Sequence, residues 1–221
     1  GGSSSWNDET AFVDDVVLNG NTILSDITAD YVTYVTQNTP ITLTCEDVDP
    51  HPSNDVTIHW RTRFDDGDGW NAWVEDSENS NDVTIKFQEN SLHELEYWCT
   101  DAVEKESTHY IELDKVDSEP PVITKEMFGL WLGECPPEDG GDKCYVSDNG
   151  DSGVKVSVED PNPEHAVNQV ECKWGYNFDG QFFGWYYPES LTWEVIFEQD
   201  STHELIIECQ DALGNSIRDE E

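Results

Sequence analysis

Phe87 to Val103 reads F-x-x-N-S-x-H-E-L-x-x-x-C-x-D-A-V, and 110 positions later Phe197 to Leu213 reads F-x-x-D-S-x-H-E-L-x-x-x-C-x-D-A-L. A match this long at a fixed offset indicates that one structural module occurs twice in tandem. A chain of 221 residues is long enough for two domains of roughly 100 residues, each with its own core.

Strand patterns dominate both copies. Residues 41–45 and 56–63 alternate apolar and polar side chains at period two, which is typical of half-buried strands. Residues 65–69 and the pair Asp179-Gly180 have the composition of hairpin turns. About seven short strands per copy, with turns every 8 to 12 residues or so, is the pattern of a sandwich. We therefore predict an all-β fold of two tandem β-sandwiches, preceded by an extended N-terminal segment.

The boundary between the modules falls in Val116-Asp117-Ser118-Glu119-Pro120-Pro121, because paired prolines lack amide donors and stiffen a linker. We predict an N-terminal arm over residues 1–31, a first domain over 32–117 and a second over 118–221. The arm is apolar between Thr10 and Asn19, and its β-branched content favours an extended strand over a short helix.

The 110-residue offset also exposes an asymmetry. After the first Asp-Ala pair, residues 107–113 form a convincing strand, Ser-Thr-His-Tyr-Ile-Glu-Leu. The corresponding residues of the second copy would be 217–223, but the sequence ends at Glu221 with Arg-Asp-Glu-Glu. This comparison predicts that the second sandwich lacks its last strand, natively or because the chain is truncated.

The net charge of −39 is extreme. It excludes nucleic acid and anionic membrane surfaces as simple partners, since both are repelled, and it suits a solvated acidic coat at high salt or on a cell surface. No apolar run approaches the roughly 18 residues that span a bilayer, so membrane insertion is not expected. A start at Gly-Gly-Ser-Ser-Ser rather than Met is expected for a removed signal or a trimmed chain.

Three segments resemble the Ig-like or fibronectin-III-like repeats of secreted prokaryotic, especially archaeal, surface and pilus-like filament proteins. They are the linker Val116 to Lys125, the stretch Asn38 to Thr44, and Cys209 to Asn215. The resemblance covers residues 32–221. Such repeats serve as spacers, adhesins, lattice subunits and filaments, so the resemblance implies a surface role without choosing among them.

Six cysteines without metal or redox spacing favour three disulfides and an extracellular or cell-surface location. The resemblance places Cys45 and Cys99 on strands B and F, where an inter-sheet disulfide is expected. Aligning the copies then pairs Cys172 with Cys209, and leaves Cys135 and Cys144 to close a loop.

Calcium is the one cofactor that the sequence suggests. Two turns place several carboxylates close together in sequence, as hard cations prefer. Their acidic residues are Asp65, Asp66, Asp68, Asp148 and Asp151. Ordinary Asp-Gly hairpin turns explain the same pattern, and the full EF-hand spacing is missing. His93 and His203 occupy matching places in the repeat, which favours a structural hydrogen bond over catalysis.

One hairpin collects many aromatic residues, between Trp174 and Tyr187. Alternation places about half of them in the core, and Trp185 and Tyr187 are candidates for a glycan or protein contact. No G-x-S-x-G nucleophile turn or other catalytic constellation occurs, so we do not expect an enzyme.

A sandwich without its last strand and a spare apolar arm together suggest self-assembly. We expect residues 10–24 of one copy to fill the open edge of the second module of the next, which is donor-strand complementation. The donor residues would be Phe12, Val13, Val16, Val17 and Leu18. This contact builds an open head-to-tail homopolymer, a pilus-like filament. The alternatives are a cell-surface adhesin or carbohydrate-binding module and a passive surface-layer spacer.

Overall fold

The computed structural model describes residues 16–18, 21–23, 32–47, 55–65, 67–133, 144–162, 166 and 169–220. All regular structure in these residues is β-strand, and they include no helix of the length and apolarity needed to cross a membrane. The chain forms two compact units, residues 1–118 and 119–221.

In the part of the first unit that the structure describes there are nine strands. They are β1 (Val16–Leu18), β2 (Asn21–Ile23), β3 (Val32–Val35), β4 (Ile41–Thr44), β5 (Val56–Asp65), β6 (Val74–Glu78), β7 (Asp82–Ile85), β8 (Leu92–Asp101) and β9 (Tyr110–Val116). One sheet has the order β2-β1-β4-β7 and the other β3-β9-β8-β5-β6. Only the β3–β9 pair is parallel among these described pairings.

The second unit also contains nine strands within the described residues. They are β10 (Val122–Phe128), β11 (Trp131–Leu132), β12 (Tyr145–Val146), β13 (Gly153–Glu159), β14 (Val170–Phe178), β15 (Gln181–Tyr186), β16 (Thr192–Ile196), β17 (His203–Asp211) and β18 (Ser216–Glu220). The sheets are β10-β13-β16 and β15-β14-β17-β18, with β11 and β12 as a separate small hairpin.

The predicted fold class is confirmed, because each unit packs one sheet on another around its own apolar core. In the first unit Ile41, Leu43, Ile58 and Leu95 are almost fully buried. The second core is built on Val154, Val156 and Ile207. Apolar residues two apart on β4, and on β13, point to the same face, which is why period-two alternation is visible in the sequence.

The prediction that the second module lacks its last strand is wrong. Strand β18 pairs antiparallel with β17, from Gln210↔Ser216 to Ile206↔Glu220. It begins directly after the tight turn at Asp211. In the first unit a longer connection precedes the full strand β9, so the 110-residue offset placed the second strand too late.

The N-terminal arm takes part in the first unit. Residues Val16–Leu18 pair with β2 and, through Val17↔Thr42 and Leu18↔Ile41, with β4 of the same chain. The arm is therefore not a spare segment as predicted, since it completes a sheet. Phe12 and Val13, the other predicted donor residues, lie outside the described residues.

Candidate functional site

Strand β4 pairs along one edge with β1, and we call this edge the arm seat. It consists of Ile41–Thr44. Ile41 and Leu43 are buried, whereas Thr42 and Thr44 are half-buried on the other face. The other edge of β4 is paired with β7 from Ile41↔Ile85 to Thr44↔Asp82. The arm seat is thus a full strand edge, and its partner β1 holds the place that β10 holds beside β13 in the second unit.

Strand β9 carries two carboxylates on its inward face. Glu112 lies opposite Leu95 and Asp114 opposite His93, and cross-strand neighbours share one face of a sheet. Leu95 and Asp114 are both 0% exposed, and Glu112 is 8% exposed. Glu112 Oε1 and both carboxylate oxygens of Asp114 have no hydrogen-bond partner in the described part of the chain. Two buried acidic groups therefore have largely unsatisfied carboxylates within the described part of the first unit.

Burial decides the protonation of this pair. It raises the pKa of Glu112 to about 7, and it raises the pKa of Asp114 well above its usual value, with a further contribution from the nearby charge of Glu112. Burial and the same two acids also raise the pKa of Tyr97. The pair is stable inside the unit in its uncharged form.

The second unit treats an inward acid differently. Asp219 on β18 lies opposite the buried Ile207, and Lys125 on β10 lies opposite the buried Val156, so both point inward. Lys125 Nζ donates to Asp219 Oδ1 at 2.6 Å. A strand from the opposite sheet thus supplies the cation that β9 lacks. No Lys or Arg occurs before Arg61, so the arm and strand β4 contain none to supply.

Two of the expected disulfides are present. Cys45–Cys99 joins the two sheets of the first unit with a Cα–Cα distance of 6.2 Å. Cys172–Cys209 joins the adjacent strands β14 and β17 with a Cα–Cα distance of 4.2 Å. Cys144 is also disulfide-bonded, and Cys135 lies outside the described residues. These bonds fit an extracellular or cell-surface location.

The candidate calcium residues lie in two hairpin turns. Asp65 Oδ1 accepts hydrogen bonds from the amides of Gly67 (3.0 Å) and Gly69 (3.2 Å). Asp68, Asp148 and Asp151 are exposed, and Asp66 lies outside the described residues. Among the residues described, neither turn brings three ligand atoms within 4.8 Å of one another. Calcium at Asp65 stays a prediction, tested by a rise in melting temperature on adding calcium that Asp65→Asn abolishes.

The aromatic hairpin is β14–β15, and its rings divide between two faces. Trp174 stacks on Tyr186 at 4.6 Å on the inward face. On the other face Lys173 Nζ lies 4.4 Å from the centre of the Trp185 ring, and the Phe182 ring meets Trp185 at 5.2 Å. Tyr187 is 74% exposed. Of the two predicted contact residues, only Tyr187 exposes most of its side chain to solvent.

The structural role predicted for the repeated histidines is confirmed. His93 Nε2 donates to the carbonyl oxygen of Glu89 at 2.8 Å, and His203 Nε2 donates to that of Gln199 at 3.2 Å. Each imidazole also contacts the phenylalanine that opens the repeat, with ring centres 4.3 Å apart for Phe87 and 5.1 Å for Phe197. The repeated residues therefore encode one sheet corner, built twice.

One array of interacting side chains was missed at the sequence level. On the outward face of the first unit, Arg61 and Arg63 lie over the ring of Trp73 at 4.6 and 4.5 Å. Arg61 Nε also donates to Glu96 at 2.7 Å. Trp98 stacks on His109 at 4.3 Å in the same sheet. Alternation of arginines at period two on β5 was the available signal, and it is weak without the tryptophans beside it.

No family model matches this chain, and no curated protein matches it. A search of solved structures found chains with limited similarity to this one. The fibronectin(III)-like modules of Clostridium thermocellum CbhA are 13% identical over 93% of this chain and 90% of theirs, with a TM-score of 0.30. The FN1-FN3 domains of chicken CNTN1 are 10% identical over 89% of this chain and 63% of theirs, with a TM-score of 0.31.

Proposed function

We propose that this chain is an extracellular structural subunit that polymerises head to tail into a pilus-like filament by donor-strand complementation. The observation that carries the proposal is the pairing of β1 with β4, because a segment near the start of the sequence completes a sheet of the first unit. Exchanging that segment between copies preserves its strand contacts, since donor and acceptor are the same in both arrangements.

The acceptor in this proposal is the arm seat of the first unit, not the second unit. Strand β18 occupies the edge of β17 that the sequence comparison left open. Within the described residues β1 joins β4 through two register pairs, whereas β10 joins β13 through seven, from Val122↔Glu159 to Phe128↔Gly153. Among the described residues β1 is the less extensively paired of these two first strands, which supports its exchange.

The disulfides and the acidic surface support the extracellular part of the proposal. Disulfides persist in oxidising surroundings, and a net charge of −39 keeps a secreted subunit soluble at high salt. Such surroundings suit the archaeal surface proteins that the repeats resemble. The proposal assigns the chain no catalytic activity.

Cysteine crosslinking between copies tests the proposal. Val17 and Thr42 are register partners in an antiparallel pair, at a separation that a disulfide spans. We expect a mixture of V17C and T42C chains, assembled and then oxidised, to give crosslinked dimers, and the V17C/T42C chain to give a ladder of multimers. Electron microscopy of the same material should show filaments, and deletion of residues 1–24 should abolish them.

Thr124 and Ser157 provide the matched control, since they are register partners on β10 and β13. Mixed T124C and S157C chains should stay monomeric on a non-reducing gel, while the double variant closes within one chain. Crosslinks absent from the V17C and T42C mixture, with the double variant closing internally in assembled material, would overturn strand exchange. Closed dimers instead of filaments would overturn the head-to-tail arrangement.

The rival is a glycan-binding adhesin, which the exposure of Tyr187 favours. Glycan binding by a monomeric preparation, lost in W185A and Y187A, would support that function instead. The same rings serve as the readout because exposed aromatic faces stack on sugars.

A further inference from the structure

Strand β9 places two acids on an inward face that also carries Tyr110 and the fully buried Val116. Its sequence places Ile111 and Leu113 on one face and Glu112 and Asp114 on the other. In the structure the acids face the interior, and Ile111 is 42% exposed. A pattern of period two normally buries its apolar face, and a shift of one residue exchanges the two faces completely.

A single extra residue causes this inversion. Thr100 lies opposite Glu106, and Tyr97 lies opposite Tyr110. Between these two pairs the first strand advances by three residues and the second by four. The connection thus contains a one-residue bulge. Without it Ile111 would lie opposite Leu95 and Leu113 opposite His93. The corresponding hairpin of the second unit has no bulge, since Ile206 to Gln210 pair with Glu220 to Ser216 one for one.

We propose that β9 is a pH-dependent register switch: with Glu112 and Asp114 uncharged it keeps the bulged register, and on their ionisation it shifts by one residue, burying Ile111 and Leu113. The two ends of the moving segment are anchored in both registers. Glu106 is held by its bridge to Thr100, and the Val116 amide donates to the Ser91 carbonyl at 2.8 Å. The shift therefore moves the bulge from one end of β9 to the other, and it also displaces Leu113, Asp114 and Lys115 by one position against their parallel partner β3.

The surroundings of the acids favour such a switch. On β8 the inward titratable groups are His93, whose Nε2 is bonded to the Glu89 carbonyl, and Tyr97, and on β9 there is Tyr110. Strands β1 to β4 contain no charged residue, the inward residues of β5 beside this site are Trp60, Thr62 and Phe64, and β7 contributes Val83 and Ile85. No Lys or Arg of these elements faces the acids to compensate an ionised pair.

The direction of the pH dependence follows from the raised pKa values of Glu112 and Asp114. A carboxyl group whose pKa is higher in the folded state than in the unfolded state stabilises the folded state at pH values below the unfolded-state pKa. This stabilisation is lost as the pH rises through the folded-state pKa. For Glu112 that window runs from its ordinary range up to about 7 and beyond. Between pH 5.5 and 8.5 the ionisation of Glu112 alone should lower the relative population of the bulged register by roughly thirtyfold, and the ionisation of Asp114 acts in the same direction.

Labelling of a cysteine at position 111 measures the register. In the full-length I111C chain, reaction with a thiol reagent should become slower relative to a V74C chain between pH 5.5 and 8.5, because residue 111 moves inward. Val74 lies on β6 of the same sheet and is 67% exposed, so V74C reports the pH dependence of an exposed thiol. We expect at least a tenfold fall in the ratio.

Charge-neutral variants complete the test. Adding E112Q and D114N to I111C should make the ratio independent of pH, while E75Q and E78Q, which remove two exposed acids of β6, should leave the fall intact. The single E112Q variant serves if the double variant does not fold. A ratio that stays constant in I111C, or rises because the unit simply unfolds, would overturn the switch. The measurement uses monomeric chain, so its result is independent of polymerisation.

Discussion

The turn after each repeat shows how one residue carries a conformational cost. Asp101 Oδ1 accepts from the amides of Val103 and Lys105, and Asp211 Oδ1 does the same for Leu213 and Asn215. The two turns are alike although their sequences differ. Gly214 takes a φ of 93°, where glycine is at ease, and Glu104 takes 62°, where a side chain is strained.

We therefore expect Glu104→Gly to stabilise the first unit by about 0.5–1 kcal/mol, since glycine relieves the left-handed strain at a small entropic cost. Denaturant unfolding, followed by hydrogen exchange in β8, measures the change. Gly214→Ala is the reciprocal control and should destabilise the second unit by about 1 kcal/mol. A destabilising Glu104→Gly would show that the glutamate side chain contributes more than its backbone costs.

Sequence reasoning worked best where a residue type has a single geometric use. The repeated His-Glu-Leu and Cys-x-Asp-Ala segments predicted matching strands and matching histidine contacts. Together with the resemblance to Ig-like repeats, they also predicted the disulfides Cys45–Cys99 and Cys172–Cys209. It failed where charge concealed a strand. Strand β18, Ser216–Glu220, has one apolar residue, Ile217. Its other residues are held in part by ion pairs, Asp219 with Lys125 and Arg218 with Glu208. Hydrophobic alternation does not reveal such ion-paired strands.

At the scale of the strand, β9 shows the opposite failure. Its pattern predicted a strand, but it could not show which face is buried, because a bulge is a property of the connection and leaves no hydrophobic signature. The arm seat was also beyond sequence reasoning, since no pattern in Val16–Leu18 states whether its partner strand belongs to the same chain.

The ion pair between Lys125 and Asp219 links β10 to β18 in the opposite sheet, and its contribution to stability can be measured. Lys125→Gln should destabilise the second unit by about 1–3 kcal/mol, because it leaves a mostly buried carboxylate without its cation. Asp219→Asn in the same chain should recover part of that loss, and the double-mutant cycle in urea gives the coupling energy.

Lys155→Gln is the control for the loss of one positive charge, because Lys155 is exposed on the neighbouring strand β13. Equal destabilisation by Lys125→Gln and Lys155→Gln would mean that the chain's net charge, and not the Lys125–Asp219 contact, determines the effect.

For the whole molecule the dominant quantity is charge. Ten basic residues against forty-nine acidic ones produce self-repulsion that salt screens, with a Debye length of about 10 Å at 0.1 M and about 3 Å at 1 M. We expect the melting temperatures of both units to rise between 0.1 and 2 M sodium chloride. Potassium chloride should act equally, because screening does not distinguish the two cations. A melting temperature unchanged by salt would show that the acidic surface is not under electrostatic strain.

The Cys45–Cys99 disulfide has a mechanical consequence for a filament. Cys45 directly follows β4, the strand that receives the arm, and Cys99 lies on β8 in the opposite sheet. Tension applied through a neighbour's arm would load the β1–β4 hydrogen bonds and then pass across the sandwich through a covalent bond. The sheets of the first unit would not be pulled apart, so the exchanged strand would be the element that yields under force.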